Sequence, residues 1–285
     1  MEDHLWRRGL GHPGSRHRQD AGLMKDGAAP LDTGGTQAVA RALSLLSLVG
    51  RGGAQGMGLA QLAAASGLAR PTVRRLLLAL GAARMVEQDR VTRRYHLGPE
   101  TYLLAGFATE RHGILHHARD SMVRLAAETG DTLLLTVPQD DHTLCLERIE
   151  GDFPVRTHAL MRGDRKPAGV GAGALAILAA LPEAEAAALL DRVAPLVGEW
   201  MAGLQEDLAH ARAQGHALNP GRIVAGSWGL GVAILWPDGR PAGALSIAAI
   251  ENRMTPARQA ELAAALHREA RAIAARLAEL ERTTA

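Results

Sequence analysis

Cysteine occurs once in this 285-residue chain and lysine twice, and no apolar run approaches membrane-spanning length. The single thiol, Cys145, excludes an internal disulfide framework and fits a reducing compartment. It falls in a strand-like run, residues 142–149, where a small core hydrophobe is expected rather than a nucleophile. No stretch reaches the ~18 consecutive apolar residues of a bilayer span. Arg7, Arg8, Arg16 and Arg18 interrupt any signal-peptide core. A cytoplasmic protein with no membrane partner is the expectation. Catalytic signatures are missing too: there is no Gly-x-Ser-x-Gly elbow, Cys-x-x-Cys pair or His-Glu-x-x-His helix. His112, His116 and His117 share helical spacing, but no second ligand cluster supports them, so they read as surface histidines. No catalytic residue, metal or cofactor is expected.

Charge is nearly balanced overall, at +2, yet unevenly placed. Residues 36–98 hold nine arginines against Glu87 and Asp89, a net of +7, while residues 99–285 hold 18 basic and 23 acidic groups, a net of −5. With Lys25 and Lys166 the only lysines, abundant arginine is by itself a bias of composition. Its concentration in one short segment is what points to a polyanion-binding module joined to a region with another task. Residues 1–35 mix Gly, His, Pro and both charges without periodicity and read as a disordered leader.

Within the basic segment, residues 59–80 read as two short helices joined by a tight turn. Ala63 is small where the helices must cross, and Gly67 stands where the turn asks for positive φ. Leu62, Leu68, Val73 and Leu76 would face inward, leaving Arg70, Thr72, Arg74 and Arg75 on the outside of the second helix. Such a helix enters a DNA major groove. Ala38, Ala42, Leu45, Leu46 and Val49 supply a preceding helix. Two brief strands follow, at 85–87 and 95–97, around a loop carrying Arg90, Arg93 and Arg94. A hairpin with a basic tip behind such a helix pair makes a wing that reaches phosphates. Residues 36–98 therefore read as a winged helix-turn-helix.

Beyond Gly98-Pro99 a helix with the stripe Tyr102, Leu103, Gly106 and Phe107 spans about 99–112, offering either a dimer contact or packing onto the winged segment. A second runs from about 114 to 128, stopping at Gly130. Strand–turn–strand units follow at 132–149 and 231–249, the latter turning on Asp238-Gly239. Between them lie Ala-rich helices near 172–180, 183–193 and 199–214, and a last helix opens at Thr255-Pro256 and runs to about 281. This order predicts an α+β architecture in which helices flank an antiparallel sheet.

Two segments could receive a small molecule. Gly169, Gly171 and Gly173 alternate just before the helix that starts near Ala172, exposing amides that suit a carboxylate or forming a tight packing corner. Neither a Walker loop nor a dinucleotide fingerprint fits them. Residues 219–231, glycine-rich around Trp228, read as a loop over a ligand, with Trp228 as apolar lid or core.

These pieces together resemble the IclR (isocitrate lyase regulator) family of bacterial transcription regulators. The resemblance runs from Leu62, Ser66-Gly67, Thr72-Val73 and Arg75 through Val86-Glu87, Tyr95, Gly98 and Glu147-Arg148. It continues in the Gly-rich helix start, Leu181-Pro182, Gly215, Gly231-Val232 and residues 245–248. It implies a homodimer or dimer of dimers that binds inverted-repeat operators in double-stranded DNA, as repressor or activator, and answers to small organic acids, aromatic ones among them. Residues 113–285 would then be an effector-binding and oligomerisation domain, with 99–112 a linker. Carried over by position, the effector pocket falls on Gly171, Ala172, Gly173, Asn219, Gly229, Ser246 and Ala248. Leu175, Gly171, Ala248 and Gly229 replace a lysine, a hydroxyl, a serine and a cysteine frequent in the family, which implies a roomier, less polar pocket. Arg84 stands where a glycine usually ends the recognition helix, unless Gly81 ends it early. Two rival readings are a small-molecule enzyme with an accessory helical domain and a DNA-binding scaffold that has lost its ligand.

Overall fold

The computed structural model describes residues 36–157, 160–198 and 201–284. Contacts divide the chain into residues 1–40 and 41–285; of the former, residues 36–40 are described and open the first helix. The expected leader, 1–35, lies outside the described residues.

Helices α1 (Gln37–Arg51), α2 (Leu59–Ser66) and α3 (Arg70–Ala82) precede the hairpin of β1 (Val86–Gln88) and β2 (Tyr95–Leu97). Their shared core is Leu45, Val49, Leu62, Val73, Leu77, Leu80 and Val86. Val73, Leu77 and Leu80 recur at the i, i+4, i+7 spacing that builds one apolar helix face, so Leu77 and Leu80 join the inward positions expected from sequence. Leu68 and Leu76 are only half-buried. Gly67 closes α2 at φ 67°, a left-handed conformation that glycine takes without a Cβ clash. Gly81 does not end α3 early: the helix passes it, and Arg84 adopts φ 56° at its end. Met85 N–H donates to the Leu80 carbonyl at 3.0 Å, closing that turn.

The remaining elements are α4 (Pro99–His112), α5 (Ile114–Thr129), β3 (Thr132–Gln139), β4 (His142–Ile149), β5 (Arg165–Pro167), α6 (Ala172–Ala180), α7 (Glu183–Val197), α8 (Met201–Gln214), β6 (Ala217–Val224), β7 (Ser227–Leu235), β8 (Pro241–Ile250) and α9 (Pro256–Thr284). The strands form one six-stranded antiparallel sheet in the order β5-β4-β3-β8-β7-β6. Alternation along its strands separates two faces. Leu133 and Leu135 of β3, Leu245 and Ile247 of β8, and Leu230, Val232 and Ile234 of β7 share a core with Met122 and Leu125 of α5 and Leu262, Leu266 and Ile273 of α9. Across the sheet, α6 packs with α7 and α8 through Leu175, Leu178, Leu189, Val193, Leu204 and Leu208.

One expectation needs correction, one strand is new, and one alternative narrows. Residues 219–231 are not a loop but the hairpin of β6 and β7, with Gly221 at φ 78° where the strand register shifts and Gly226 at φ 76° in the turn. β5, too short to show a period, was not expected. The stripe on α4 finds no cover among the described residues, since Tyr102, Leu103 and Phe107 are all exposed.

Candidate functional site

Pro71 opens α3, where its missing N–H is no loss. Arg70 and Arg74 stand four residues apart on its outer surface with Arg75 beside them, and all three are exposed. Thr72 is half-buried. None of these three guanidinium groups meets a hydrogen-bond or ion-pair partner among the described residues.

The wing tip is ordered by Asp89, whose carboxylate accepts from Val91 N–H at 2.9 Å and from Thr92 N–H at 2.6 Å. The Thr92 amide, ahead of the Thr92 hydroxyl, holds that carboxyl below its ordinary pKa. Arg93 sits at φ 59° in the tip, and Arg90 and Arg93 are exposed with guanidinium groups that meet no partner among the described residues. Arg94 departs from the expected phosphate contact. Its Nε donates to the Gln55 carbonyl at 2.8 Å, and its terminal nitrogen donates to the Gly56 carbonyl at 3.2 Å and Gln61 Oε1 at 3.3 Å. The guanidinium therefore ties the wing to the segment before α2. Local sequence could not foretell this, because the partners lie 33 or more residues away.

A cavity of about 570 Å³, its mouth included, lies between the start of α6 and the face of the sheet opposite α5 and α9. Glycines allow the close approach. A Cβ on Gly231 would sit 2.5 Å from the Ala172 carbonyl oxygen, and one on Gly229 would sit 3.1 Å from the Ala172 Cβ. Gly171, at φ 103°, sets the entry to α6, and its carbonyl accepts the first helical bond, from Leu175 N–H at 2.8 Å. The glycine-rich run is thus a packing corner, and the helix start it leads into borders the cavity. Gly171, Ala172, Gly173, Asn219, Trp228, Gly229, Ser246 and Ala248 all border that cavity. Trp228 borders it although its half-buried side chain packs against the α5 and α9 core.

Sequence reasoning missed further lining residues, among them Thr136, Thr143, Cys145, Lys166 and Ile223 on strands and Leu160 between β4 and β5. The signal lay in the alternation of β3 and β4, where Thr136, Thr143 and Cys145 occupy buried positions. The expected loss of polarity is therefore partly made good. The hydroxyls of Thr136, Thr143 and Ser246, on residues each 3% exposed, bond to no described group. A Cβ built on Gly173 would lie 3.0 Å from Thr136 Oγ1 and 3.3 Å from Ser246 Oγ, which places both hydroxyls at the first turn of α6. Asn219 Oδ1 accepts from Arg222 N–H at 2.9 Å, leaving its amide nitrogen to donate. Burial pushes the Cys145 thiol up to about 12, so it stays protonated and inert. No cluster of three or more ligating side chains occurs among the described residues. No described helix is long and apolar enough to cross a membrane.

Residues 38–90 match the family model described as the IclR helix-turn-helix domain, and residues 106–275 match that of the bacterial transcriptional regulator IclR C-terminal. The chain belongs to the IclR family. Within that family it is 31% identical over 238 residues to the HTH-type transcriptional regulator Rv1719 of Mycobacterium tuberculosis, covering 82% of this chain and 90% of that one. To BhcR of Paracoccus denitrificans it is 29% identical over 252 residues, with 84% and 87% covered. A solved IclR homologue from Microbacterium hydrocarbonoxydans, complexed with 4-hydroxybenzoate, shares the fold at a TM-score of 0.67 and 21% identity, covering 84% of this chain and 98% of that one. The protein is thus a DNA-binding transcription regulator and not an enzyme, with the α+β architecture of IclR structures.

Proposed function

We propose that this regulator senses a small organic acid in the cavity under α6 and passes its occupancy to an operator gripped by α3 and the wing. The observation that carries the reading is the set of three hydroxyls, on the buried residues Thr136, Thr143 and Ser246, that open onto the cavity without protein partners beside the start of α6. Hydroxyls that line a cavity without protein partners are donors for a ligand, and a carboxylate accepts from them and from helix-end amides together. The volume suits a ligand of modest size and weighs against a region that has lost its ligand. Gly171, Ala172, Gly173, Asn219, Gly229, Ser246 and Ala248 are then effector contacts, with Trp228 bordering the mouth.

On the DNA side, Thr72, Arg74 and Arg75 read base edges while Arg70, Arg90 and Arg93 meet phosphates. The exposed stripe of α4 supports pairing of two copies in the cytoplasm, which sets two recognition helices against an inverted repeat. In this scheme residues 36–98, 99–112 and 113–285 are the DNA-binding, linker and effector-binding parts.

Incubating the purified protein with a panel of aliphatic and aromatic carboxylates, 4-hydroxybenzoate among them, tests the sensor reading. Thermal stabilisation without turnover is expected. Consumption of any acid, or no stabilisation by the whole panel, contradicts it.

A further inference from the structure

Lys166 is one of two lysines in the chain, and the cavity places it where a charge has consequences. It occupies the middle of β5, in direct register with Thr143 of β4. Directly paired residues share a sheet face, and both border the cavity. Among the described lining residues it is the one that carries a charge. The neighbouring acids have partners of their own, a cation for one and a backbone amide for the other. Asp141 accepts from Arg192 Nε at 2.7 Å, and Asp164 accepts from Met161 N–H at 2.8 Å. The ammonium itself has no hydrogen-bond or ion-pair partner among the described residues. Leu134, Leu160 and Ile223 make much of the remaining wall apolar.

Resting on the reading of this cavity as the effector site, we infer that Lys166 is its specificity residue and selects ligands with a single negative charge on an apolar body. The hydroxyls and helix-end amides can donate to a carboxylate, but without Lys166 the lining offers no counter-charge to offset the rest of its lost hydration. Lys166, on a flexible four-carbon stem, supplies that counter-charge beside the Thr143 hydroxyl. A second carboxylate on the same ligand finds no second cation in the lining. Neutral isosteres lose the ion pair, and dianions bury an uncompensated charge.

Calorimetric titration of the full chain with benzoate, hexanoate, their neutral amides, and phthalate tests this, repeated on Lys166→Met and Lys166→Arg. In the native protein each monoacid should bind at least about tenfold more tightly than its amide, the worth of one charge-assisted hydrogen bond. Phthalate should bind more weakly than benzoate. Lys166→Met should remove the preference by weakening the acids and leaving the amides unchanged, and Lys166→Arg should keep it; unchanged melting of both unliganded variants shows the fold intact. Equal affinity for acids and amides in the native protein, or a preference that survives Lys166→Met, overturns the assignment while leaving the cavity reading standing. Failure of every acid and amide to bind removes the cavity reading and this inference with it.

Discussion

Arginine is used in opposite ways in the two halves of this chain. On α3 and the wing, Arg70, Arg74, Arg75, Arg90 and Arg93 point outward and meet no described partner. Around the sheet, arginines are held by acids: Arg253 and Arg258 close on buried Asp131 at 2.8 and 2.7 Å, and Arg119 on buried Glu147 at 2.9 Å. Arg124 closes on buried Glu269 at 2.7 Å, and Arg222 on Asp207 at 2.6 Å. The excess positive charge of the basic segment thus includes arginines free for an outside polyanion. Several arginines of the larger half are instead consumed in fixing helices to the sheet, although Arg162 and Arg165 there are exposed without a described side-chain partner. Arg94 crosses that division, a basic wing residue consumed internally. Lys166 crosses it in the other direction, a cation kept free inside the larger half.

The sharpest way to strain this contrast is to remove free cations from α3. The double change Arg74→Ala with Arg75→Ala should cost roughly 2–6 kcal/mol on an operator duplex, and Arg75→Ala alone about 1–3 kcal/mol, with less loss on random DNA. Electrophoretic titration of both duplexes reads this, and an equal loss on each rejects base readout. Next comes the sheet half, where Gly231→Ala drives a Cβ to 2.5 Å from the Ala172 carbonyl oxygen. We expect a loss of about 1–3 kcal/mol in stability and of acid binding, with affinity for random duplex retained; intact acid binding would show that α6 need not lie so close. On the wing, Arg90→Ala and Arg93→Ala should each lower the slope of log affinity against log salt by about 1. Arg94→Ala should instead lower the melting temperature. If all three behave alike, Arg94 belongs with the free group. Smallest is Arg84→Gly, which relieves the φ 56° strain and should raise stability by about 1 kcal/mol in denaturant titration.

Much of the architecture was legible because local signals agreed. The period of α3, Gly67 at its turn, Gly130 after α5 and the Asp238-Gly239 turn each carry their cause in a few neighbouring residues. What escaped depended on partners distant in sequence. Residues 219–231 look like a loop because glycines weaken a strand's own propensity, yet Gly229 and Gly231 are strand residues whose missing Cβ atoms admit Ala172. β5 is three residues of Arg, Lys and Pro, too short for a period. Its pairing with β4, a long-range event, is what brings Lys166 to the cavity. The cavity's glycine and β8 residues could be carried over by position, whereas the β3 and β4 hydroxyls that give it chemistry needed the register of the sheet.

Operator affinity measured with and without bound acid tests the coupling most directly. A duplex selected by this protein from genomic fragments should change its dissociation constant by about 5–150-fold when an acid saturates the cavity, the span of ordinary allosteric coupling. Random duplex should not respond. Identical operator affinity in the empty and acid-saturated protein would contradict a sensor wired to its DNA-binding arginines.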